Sequence, residues 1–144
     1  MIETLPDRFC WTHRHDHGPD ERLLRLRPGH TVLDLGCGRG THLAYLSRTH
    51  HIHGIGLDHE AEWPSGVCTY AHGGTAEFLH TTALDYLNQQ PENSINAIYS
   101  RFGAIWFTDP QRLLSEVFPL ERTLDYAAVR VSLANSSSCS SGVR

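Results

Sequence analysis

Residues 31–40 have the sequence TVLDLGCGRG, and this stretch decides the fold class of the chain. Residues 32–35, three of them apolar and one the acid Asp34, predict a buried β-strand. The loop after it contains three glycines, at Gly36, Gly38 and Gly40. Apolar residues at helical spacing then predict a helix from about Thr41 to His50. A strand, a glycine loop and a helix in this order open a nucleotide-binding βαβ unit, in which backbone N–H groups of the loop face the ligand.

The spacing of the glycines discriminates between classes of ligand. A dinucleotide-binding loop has the pattern G-x-G-x-x-G, which would require glycine at the position of Thr41. A second strand, predicted at 52–57, is followed at once by Asp58. This acid comes about 20 residues after the first glycine, a distance typical of a carboxylate that accepts hydrogen bonds from ribose hydroxyls.

The segment VLDLGCGRG, followed by GIGLD, resembles the class I, Rossmann-like methyltransferases that depend on S-adenosylmethionine. The resemblance extends from about Phe9 to about Phe118. It implies that the methionine part of the cofactor lies against the glycine loop and that Asp58 binds the ribose. The residues expected at the methionine part are Asp34, Gly36, Cys37, Gly38 and Gly40.

The resemblance also implies that the adenine ring lies after the third strand, which is predicted at 76–81. Thr82 and Ala83, at the start of a short helix over 83–88, are the residues expected there. Family members usually have an acid at the position of Thr82, which binds the adenine amino group. A threonine accepts a hydrogen bond without assistance from a charge, and the nearest acid is Asp85. We therefore expect weaker adenine recognition than in the family.

A fourth strand, predicted at 95–100, ends at the same edge as the glycine loop, because parallel strands present their carboxyl ends together. Ser100 and the two residues after it are expected to approach the methyl-donor end of the cofactor. Trp106 and Phe107 follow in the next loop. They could line an acceptor pocket, and core packing explains two aromatic side chains there equally well.

These elements predict an α/β fold. Its Rossmann-like parallel sheet has the order 3-2-1-4, with helices on both faces and a further helix over about 111–118. Residues 127–134 could add a fifth strand. We place the cofactor-binding domain at 1–134, with a core at 20–118. The serine-rich stretch 135–144 is predicted to be disordered.

After the helix at 111–118, the chain lacks the proline-glycine-glycine turn that family members carry. We interpret the chain as a methyltransferase truncated after its fourth strand and the following helix, with a fold that is incomplete on its C-terminal side. An open edge on a parallel sheet favours pairing with other chains. We therefore expect marginal stability and self-association through this edge.

Several segments outside the main motifs have weaker signals. The segment HRHDH contains alternating histidines at His13, His15 and His17. On an extended strand they could share one face and bind a metal. Their charged neighbours favour a solvated segment instead, and no metal is predicted. The resemblance makes Phe9, Trp11 and His17 candidates to cap the cofactor or acceptor pocket. Residues 59–64 predict a turn and a poorly formed helix, with Trp63 near the adenine or in the core. A second helical piece is predicted at 67–71.

Composition limits the functional classes. The chain has 144 residues, 40% of them hydrophobic, and a formal net charge of −4. Its 12 basic residues are scattered, which argues against a nucleic-acid partner. No apolar run approaches the roughly 20 residues that span a bilayer, and no signal-peptide core begins the chain, so we expect a cytoplasmic protein without a membrane partner. The four cysteines form no C-x-x-C pair and are expected to be free thiols, with Cys37 in a packing role.

The resemblance implies methyl transfer from S-adenosylmethionine to an acceptor, and the acidic balance of the chain favours a small molecule over nucleic acid as that acceptor. No catalytic residue can be assigned, since His17 and Asp109 are only weak candidates for a general base. The N-P-P-Y-type loop of base-flipping methyltransferases is absent after the fourth strand. Two alternatives remain: a truncated chain that binds the cofactor without catalysis, and a fragment of a nicotinamide-binding oxidoreductase. Thr41 in place of glycine argues against the second.

Overall fold

The computed structural model describes residues 4–11, 19–60, 66–92, 94–101 and 109–117. Its centre is a five-stranded sheet. The strands in chain order are β1 (Thr31–Leu35), β2 (His53–Leu57), β3 (Gly66–Thr69), β4 (Thr75–Leu79) and β5 (Ala97–Tyr99). The helices are α1 (Thr41–His50), α2 (Ala83–Leu87) and α3 (Pro110–Val117). Two 3₁₀ turns cover Glu21–Leu24 and Ala71–Gly73.

The strands lie in the order β3-β4-β2-β1-β5. β1 pairs in parallel with β2 and with β5, and β2 pairs in parallel with β4. The predicted third and fourth strands are β4 and β5, so the predicted order 3-2-1-4 is confirmed. β3 is an addition to this order, and it pairs antiparallel with β4 at the edge of the sheet.

The sheet is covered on both faces, because each strand presents apolar side chains alternately to two clusters. One cluster contains Val32, Ala97 and Tyr99 with α1 and residues of the N-terminal segment. The other contains Leu33 and Ile98 with the buried sides of α2 and α3. The expectation of helices on both faces is confirmed, and the alternation places Asp34 on the α1 face.

Two glycines in β2 allow α1 and the glycine loop to approach the sheet closely. A Cβ atom on Gly54 would lie 2.8 Å from Cγ of Leu43 in α1. A Cβ atom on Gly56 would lie 2.7 Å from Sγ of Cys37. Both distances are shorter than van der Waals contact, so β2 has no room for side chains at these positions on its α1 face.

The helix predicted over 67–71 is wrong, because residues 66–69 form β3. Val67 lies opposite Glu77 and Cys68 opposite Ala76 in the antiparallel pair with β4. As a strand, this short segment forms interstrand hydrogen bonds, whereas an isolated helix of the same length would be unstable. As expected for an edge strand, three of its four residues are exposed, and Val67 is 71% exposed. Ahead of β1, residues Glu21–Leu24 form a 3₁₀ turn, which ends at Arg25 in the left-handed region.

Residues 4–11 lie against the α1 face of the sheet. Phe9 is fully buried, and Trp11 is 1% exposed and donates a hydrogen bond from Nε1 to the carbonyl oxygen of Asp20 at 2.8 Å. The ring of Phe9 packs edge-on against the ring of Trp11, with centroids 5.1 Å apart. This N-terminal segment, defined as residues 4–11, is therefore part of the core.

Some predictions fall on residues that the structure does not describe. These are the histidine run from His13 to His17, Trp63, Phe102, Trp106, Phe107, the strand at 127–134 and the tail at 135–144. The open edge and the self-association expected from it therefore stay predictions.

Within the described ranges, no group of three or more histidine, cysteine and acidic side chains is arranged to hold a metal ion. None of the helices in these ranges has both the length and the apolar character required to cross a membrane.

We expect Phe9→Ala to lower the free energy of unfolding by about 3–5 kcal/mol, the usual cost of truncating a buried phenylalanine. The control is Val67→Ala, which removes an exposed apolar side chain and should change stability by less than about 0.5 kcal/mol. Urea denaturation of both variants measures the difference. Equal midpoints for the two variants would show that the N-terminal segment contributes nothing to the core.

Candidate functional site

The chemically informative residues lie where the parallel strands end. The glycine loop (residues 36–40) follows β1, Asp58 follows β2, and Thr82 lies soon after β4. Ser100 follows β5 directly. Because these four strands are parallel neighbours, their carboxyl ends form one edge of the sheet, where open α/β sheets bind ligands. The sequence-predicted residues therefore belong to one edge.

Backbone hydrogen bonds attach the glycine loop to the end of β2. The N–H groups of Gly36 and Cys37 both donate to the carbonyl oxygen of Leu57, at 2.7 and 2.9 Å. The N–H of Gly40 donates to the carbonyl oxygen of Cys37 at 2.9 Å, which closes the turn into α1. The loop thus has a fixed position before any ligand arrives.

All three loop glycines adopt positive φ angles, which residues with a Cβ atom rarely adopt. Gly38 has φ 54°, and a Cβ atom there would have nothing within 4 Å. Gly40 has φ 73°, and a Cβ atom there would lie 2.0 Å from the ring of Phe78. The loop therefore borders open space at Gly38 and packs tightly at Gly40.

Asp58 joins the two loops at this edge. Its Oδ2 accepts a hydrogen bond from the N–H of Gly38 at 2.8 Å, and its Oδ1 accepts one from the N–H of Glu60 at 2.8 Å. The side chain is half-buried, and each carboxylate oxygen can accept a second hydrogen bond. Asp58 can therefore hold the glycine loop and still accept hydrogen bonds from a ligand.

The thiol of Cys37 is poorly suited to be a nucleophile. Burial, together with the charges of Asp34 and Asp58, raises the pKa of Cys37 far above its ordinary value, so the thiolate is not formed near neutral pH. The sulfur lies against the face of β2 at Gly56. This environment supports the packing role that the sequence suggested.

Asp34 is a buried acid at the end of β1, with 4% of its surface exposed. Loss of hydration raises the pKa of its carboxyl to about 7, while Tyr99 and Arg101 act in the opposite direction. Its strand neighbour in the register is Tyr99 of β5, itself 2% exposed. Sequence analysis missed Tyr99 as a site residue, since only the register of β1 and β5 brings it beside Asp34.

Thr82 and Ala83 begin α2. The Thr82 side chain is exposed and accepts a hydrogen bond at Oγ1 from the N–H of Asp85 at 3.2 Å, so it caps the helix. Ala83 is buried in the apolar cluster under α2. The exposed hydroxyl of Thr82 can still form a hydrogen bond to a ligand, whereas Ala83 offers only its backbone.

Ser100 and Arg101 tie the end of β5 to neighbouring segments. Oγ of Ser100 donates to the carbonyl oxygen of Leu35 at 2.8 Å, and the Ser100 side chain is buried. Nε of Arg101 donates to the carbonyl oxygen of Cys10 in the N-terminal segment. Both side chains therefore hold backbone around the site.

Phe9 and Trp11, which the resemblance suggested as caps of the pocket, contact the site through Tyr99. Their rings pack edge-on against the Tyr99 ring, with centroid distances of 5.6 and 5.9 Å. Both side chains lie in the core and support the buried end of β5.

Asp109 is exposed and accepts a hydrogen bond from the N–H of Gln111 at 3.0 Å. This weak candidate for a general base therefore serves as a cap at the start of α3.

Comparison with known proteins identifies relatives of this arrangement. Residues 32–122 match a family model described as a methyltransferase domain. A phosphoethanolamine N-methyltransferase from Triticum aestivum is 30% identical over 96 residues, which cover 67% of this chain and 19% of the relative. The chain thus spans about a fifth of the length of that relative.

Solved structures support the same fold. The YcgJ protein from Bacillus subtilis superposes with a TM-score of 0.55 at 22% identity, covering 71% of this chain and 44% of that one. A complex of the Haloferax volcanii Trm112 methyltransferase activator with a putative methyltransferase gives a TM-score of 0.52 at 27% identity. That match covers 70% of this chain and 46% of that one.

We expect Gly40→Ala to destabilise the fold by about 1–3 kcal/mol more than Gly38→Ala, because only the methyl group at position 40 meets the Phe78 ring. Both substitutions place alanine at a positive φ, so the backbone strain is matched and the difference isolates the contact. Urea denaturation of the two variants provides the measurement. Equal losses would mean that the tight packing at Gly40 is not required.

Proposed function

Because the chain belongs to the methyltransferase domain family, we propose that it binds S-adenosylmethionine at the carboxyl edge of the sheet and transfers the methyl group to a small molecule. The observation that carries this proposal is the arrangement of the glycine loop, with open space at Gly38 and the Asp58 carboxylate bonded to that residue's N–H. The glycine turn leaves space for an adenosine ligand because it carries no side chains. The carboxylate beside it can accept hydrogen bonds from the ribose hydroxyls of that ligand.

The residues present fit this cofactor. Open space at Gly38 leaves room for the methionine part, and the unpartnered Oδ1 of Asp34 offers a buried acceptor near it. Asp58 would accept hydrogen bonds from the ribose, and Thr82 would contact the adenine. Ser100 lies at the end of β5, where the resemblance places the methyl-donor end.

When bound, the cofactor supplies an activated methyl group on its sulfonium sulfur, and the protein contributes position and exclusion of water. The preformed loop would hold the donor in place, since three of its N–H groups already donate hydrogen bonds to Leu57 and Asp58. The aromatic side chains of the N-terminal segment shield the end of β5 from solvent. We assign no general base, since an acceptor amine in its neutral form needs none before it attacks the methyl group.

A small amine is the acceptor class that the similarity favours. The Triticum aestivum relative is named as a phosphoethanolamine N-methyltransferase. The net charge of −4 also makes a polyanionic acceptor such as nucleic acid a poor partner. The alternative of a nicotinamide-binding fragment is not supported by the family match.

The decisive experiment combines binding and turnover. Titration calorimetry with S-adenosylmethionine should give saturable binding of one molecule per chain, and NADH under the same conditions should give none. Formation of S-adenosylhomocysteine is then followed with a panel of small amines that includes ethanolamine and phosphoethanolamine. Binding without turnover on any acceptor would indicate the non-catalytic alternative. Binding of NADH in preference to S-adenosylmethionine would overturn the proposal.

We predict that Asp58→Ala weakens binding of S-adenosylmethionine by at least roughly tenfold. The variant loses charge-assisted hydrogen bonds to the ribose, each of which contributes about 1.5–3 kcal/mol, and it also loses the contact that fixes Gly38. Asp85→Ala is the matched control, because Asp85 is an exposed acid at the same edge and should leave the Kd unchanged. An unchanged Kd in folded Asp58→Ala would exclude the ribose assignment.

We predict that Thr82→Asp strengthens binding of S-adenosylmethionine by roughly fivefold, since a charged acceptor gains about 1 kcal/mol over a neutral one. Aspartate caps a helix as well as threonine does, so α2 should keep its stability. Thr81→Asp adds the same charge one residue earlier and should leave the Kd within twofold. Equal effects of the two substitutions would mean that position 82 does not contact the adenine.

A further inference from the structure

The hydroxyl of Tyr70 attaches the glycine loop to a part of the chain outside β1 and β2. It donates a hydrogen bond to the carbonyl oxygen of Arg39. Tyr70 is 7% exposed and belongs to the apolar cluster on the α1 face. Its ring packs edge-on against the ring of Phe78, with centroids 6.2 Å apart. A buried tyrosine combines apolar packing with a hydrogen bond at its tip, and here that bond is made to the loop backbone.

The β3–β4 hairpin, residues 66–79, fixes the backbone of Tyr70. The N–H of Tyr70 donates to the carbonyl oxygen of Gly74 at 2.6 Å, and the N–H of Gly73 donates back to the carbonyl oxygen of Tyr70 at 3.2 Å. The turn lies directly against α1, because a Cβ atom on Gly74 would lie 2.6 Å from the carbonyl oxygen of Ala44. The hairpin therefore holds Tyr70 between the edge of the sheet and the helix that follows the glycine loop.

Two hydrogen bonds hold the peptide group between Arg39 and Gly40. Its carbonyl oxygen accepts the bond from Tyr70, and its N–H donates to the carbonyl oxygen of Cys37 at 2.9 Å. A peptide group is a rigid plane, so bonds at both of its ends fix its rotation. The Phe78 ring closes off the space beside Gly40, where a Cβ atom would lie 2.0 Å from it. Tyr70 and Phe78 thus restrain the loop at the point where it enters α1.

We propose that Tyr70 is a positioning residue for S-adenosylmethionine, an inference that rests on the proposed function. Tyr70 acts through the carbonyl of Arg39 and keeps the glycine loop in the shape that leaves space for the methionine part at Gly38. This role also gives the exposed strand β3 a purpose, since β3 pairs with β4 at the edge of the sheet and leads directly into Tyr70. The edge strand is thereby connected to the ligand site.

Loss of the Tyr70 hydroxyl would change which loop shape is favoured. The hydrogen bond to Arg39 is partly buried. An acceptor that loses its donor in such a place costs more free energy than the net contribution of the bond, so the carbonyl is expected to turn toward water. That rotation also breaks the bond between Gly40 and Cys37, because both groups belong to one plane. Only molecules that keep the original loop shape can bind the methionine part, so the apparent Kd rises as their fraction falls.

The test is titration calorimetry with S-adenosylmethionine and with methylthioadenosine, which lacks the amino-acid part of the cofactor. We expect Tyr70→Phe, which keeps the ring, to raise the Kd of S-adenosylmethionine about fivefold, the factor that corresponds to one hydrogen bond. The Kd of methylthioadenosine should stay unchanged, because this ligand does not reach the restrained part of the loop. A tyrosine that only stabilises the fold would lower the urea midpoint without changing the ratio of the two Kd values.

Tyr45→Phe is the matched control variant. Tyr45 is also a buried tyrosine of the α1-face cluster, 8% exposed, and its hydroxyl donates to Oε1 of Glu21 at 3.2 Å. Glu21 also contacts His50, the last residue of α1, so this hydrogen bond lies toward the end of α1 opposite the glycine loop. The control variant loses a tyrosine hydroxyl and some stability, and it should bind both ligands with the wild-type Kd.

A measurement without ligand tests the restraint itself. Hydrogen exchange of the Gly40 amide, followed by NMR, reports the opening of the bond between Gly40 and Cys37. Tyr70→Phe should accelerate this exchange about fivefold, for the same loss of one hydrogen bond. Tyr45→Phe should leave it unchanged, because the hydroxyl of Tyr45 does not hold the loop. Equal acceleration in the two variants would show that the loop opens only with the whole fold, and it would overturn the positioning role.

The outcomes separate this inference from the proposed function. An unchanged Kd of S-adenosylmethionine in Tyr70→Phe would overturn the role of Tyr70 and leave the proposed function intact. An equal rise in the Kd of both ligands would do the same, since the effect would then not pass through the loop. Absence of S-adenosylmethionine binding by the wild-type protein would overturn the proposed function and this inference together, even with the expected exchange rates.

Discussion

The hydrogen bonds between the glycine loop and the end of β2 are the constraint on which the site depends. Two loop N–H groups share the carbonyl oxygen of Leu57, and a third donates to the Asp58 carboxylate. Neither attachment is possible unless β1 and β2 are parallel and in register, with Leu35 opposite Leu57. The loop can follow β2 this closely because Gly56 leaves space for Cys37. The sheet therefore determines the loop geometry, and the loop in turn determines which ligand groups can approach.

Local patterns were sufficient to predict the centre of the fold. The apolar residues of β1 and the glycines after them predicted a strand followed by a ligand loop. The position of Asp58 directly after the next strand predicted that its carboxylate lies beside this loop. These signals lie within about 30 residues, the length of one βαβ unit. The order of the four parallel strands followed from the same unit and from the family resemblance, and it is confirmed.

Features that depend on distant pairing could not be predicted from local sequence. Residues 66–69 are too short and too exposed to carry a periodic signal, and only their ladder with β4 makes them a strand. The burial of Phe9 and Trp11 arises because the N-terminal segment returns to the sheet. The pairing of Asp34 with Tyr99 joins residues far apart in sequence, and an alternating strand pattern does not fix the register between two parallel strands.

The N-terminal segment connects packing to electrostatics at this edge. Phe9 and Trp11 cover the Tyr99 ring, and Arg101 is bonded to the carbonyl oxygen of Cys10. The same segment thus excludes water beside the Asp34–Tyr99 pair and holds the cation that favours ionised Asp34. These two effects oppose one another in setting the pKa of Asp34: exclusion of water raises it and the nearby guanidinium lowers it. A chain segment more than 20 residues before Asp34 therefore contributes to the environment that sets the pKa of this acid, and the sequence of the glycine loop does not reveal this contribution.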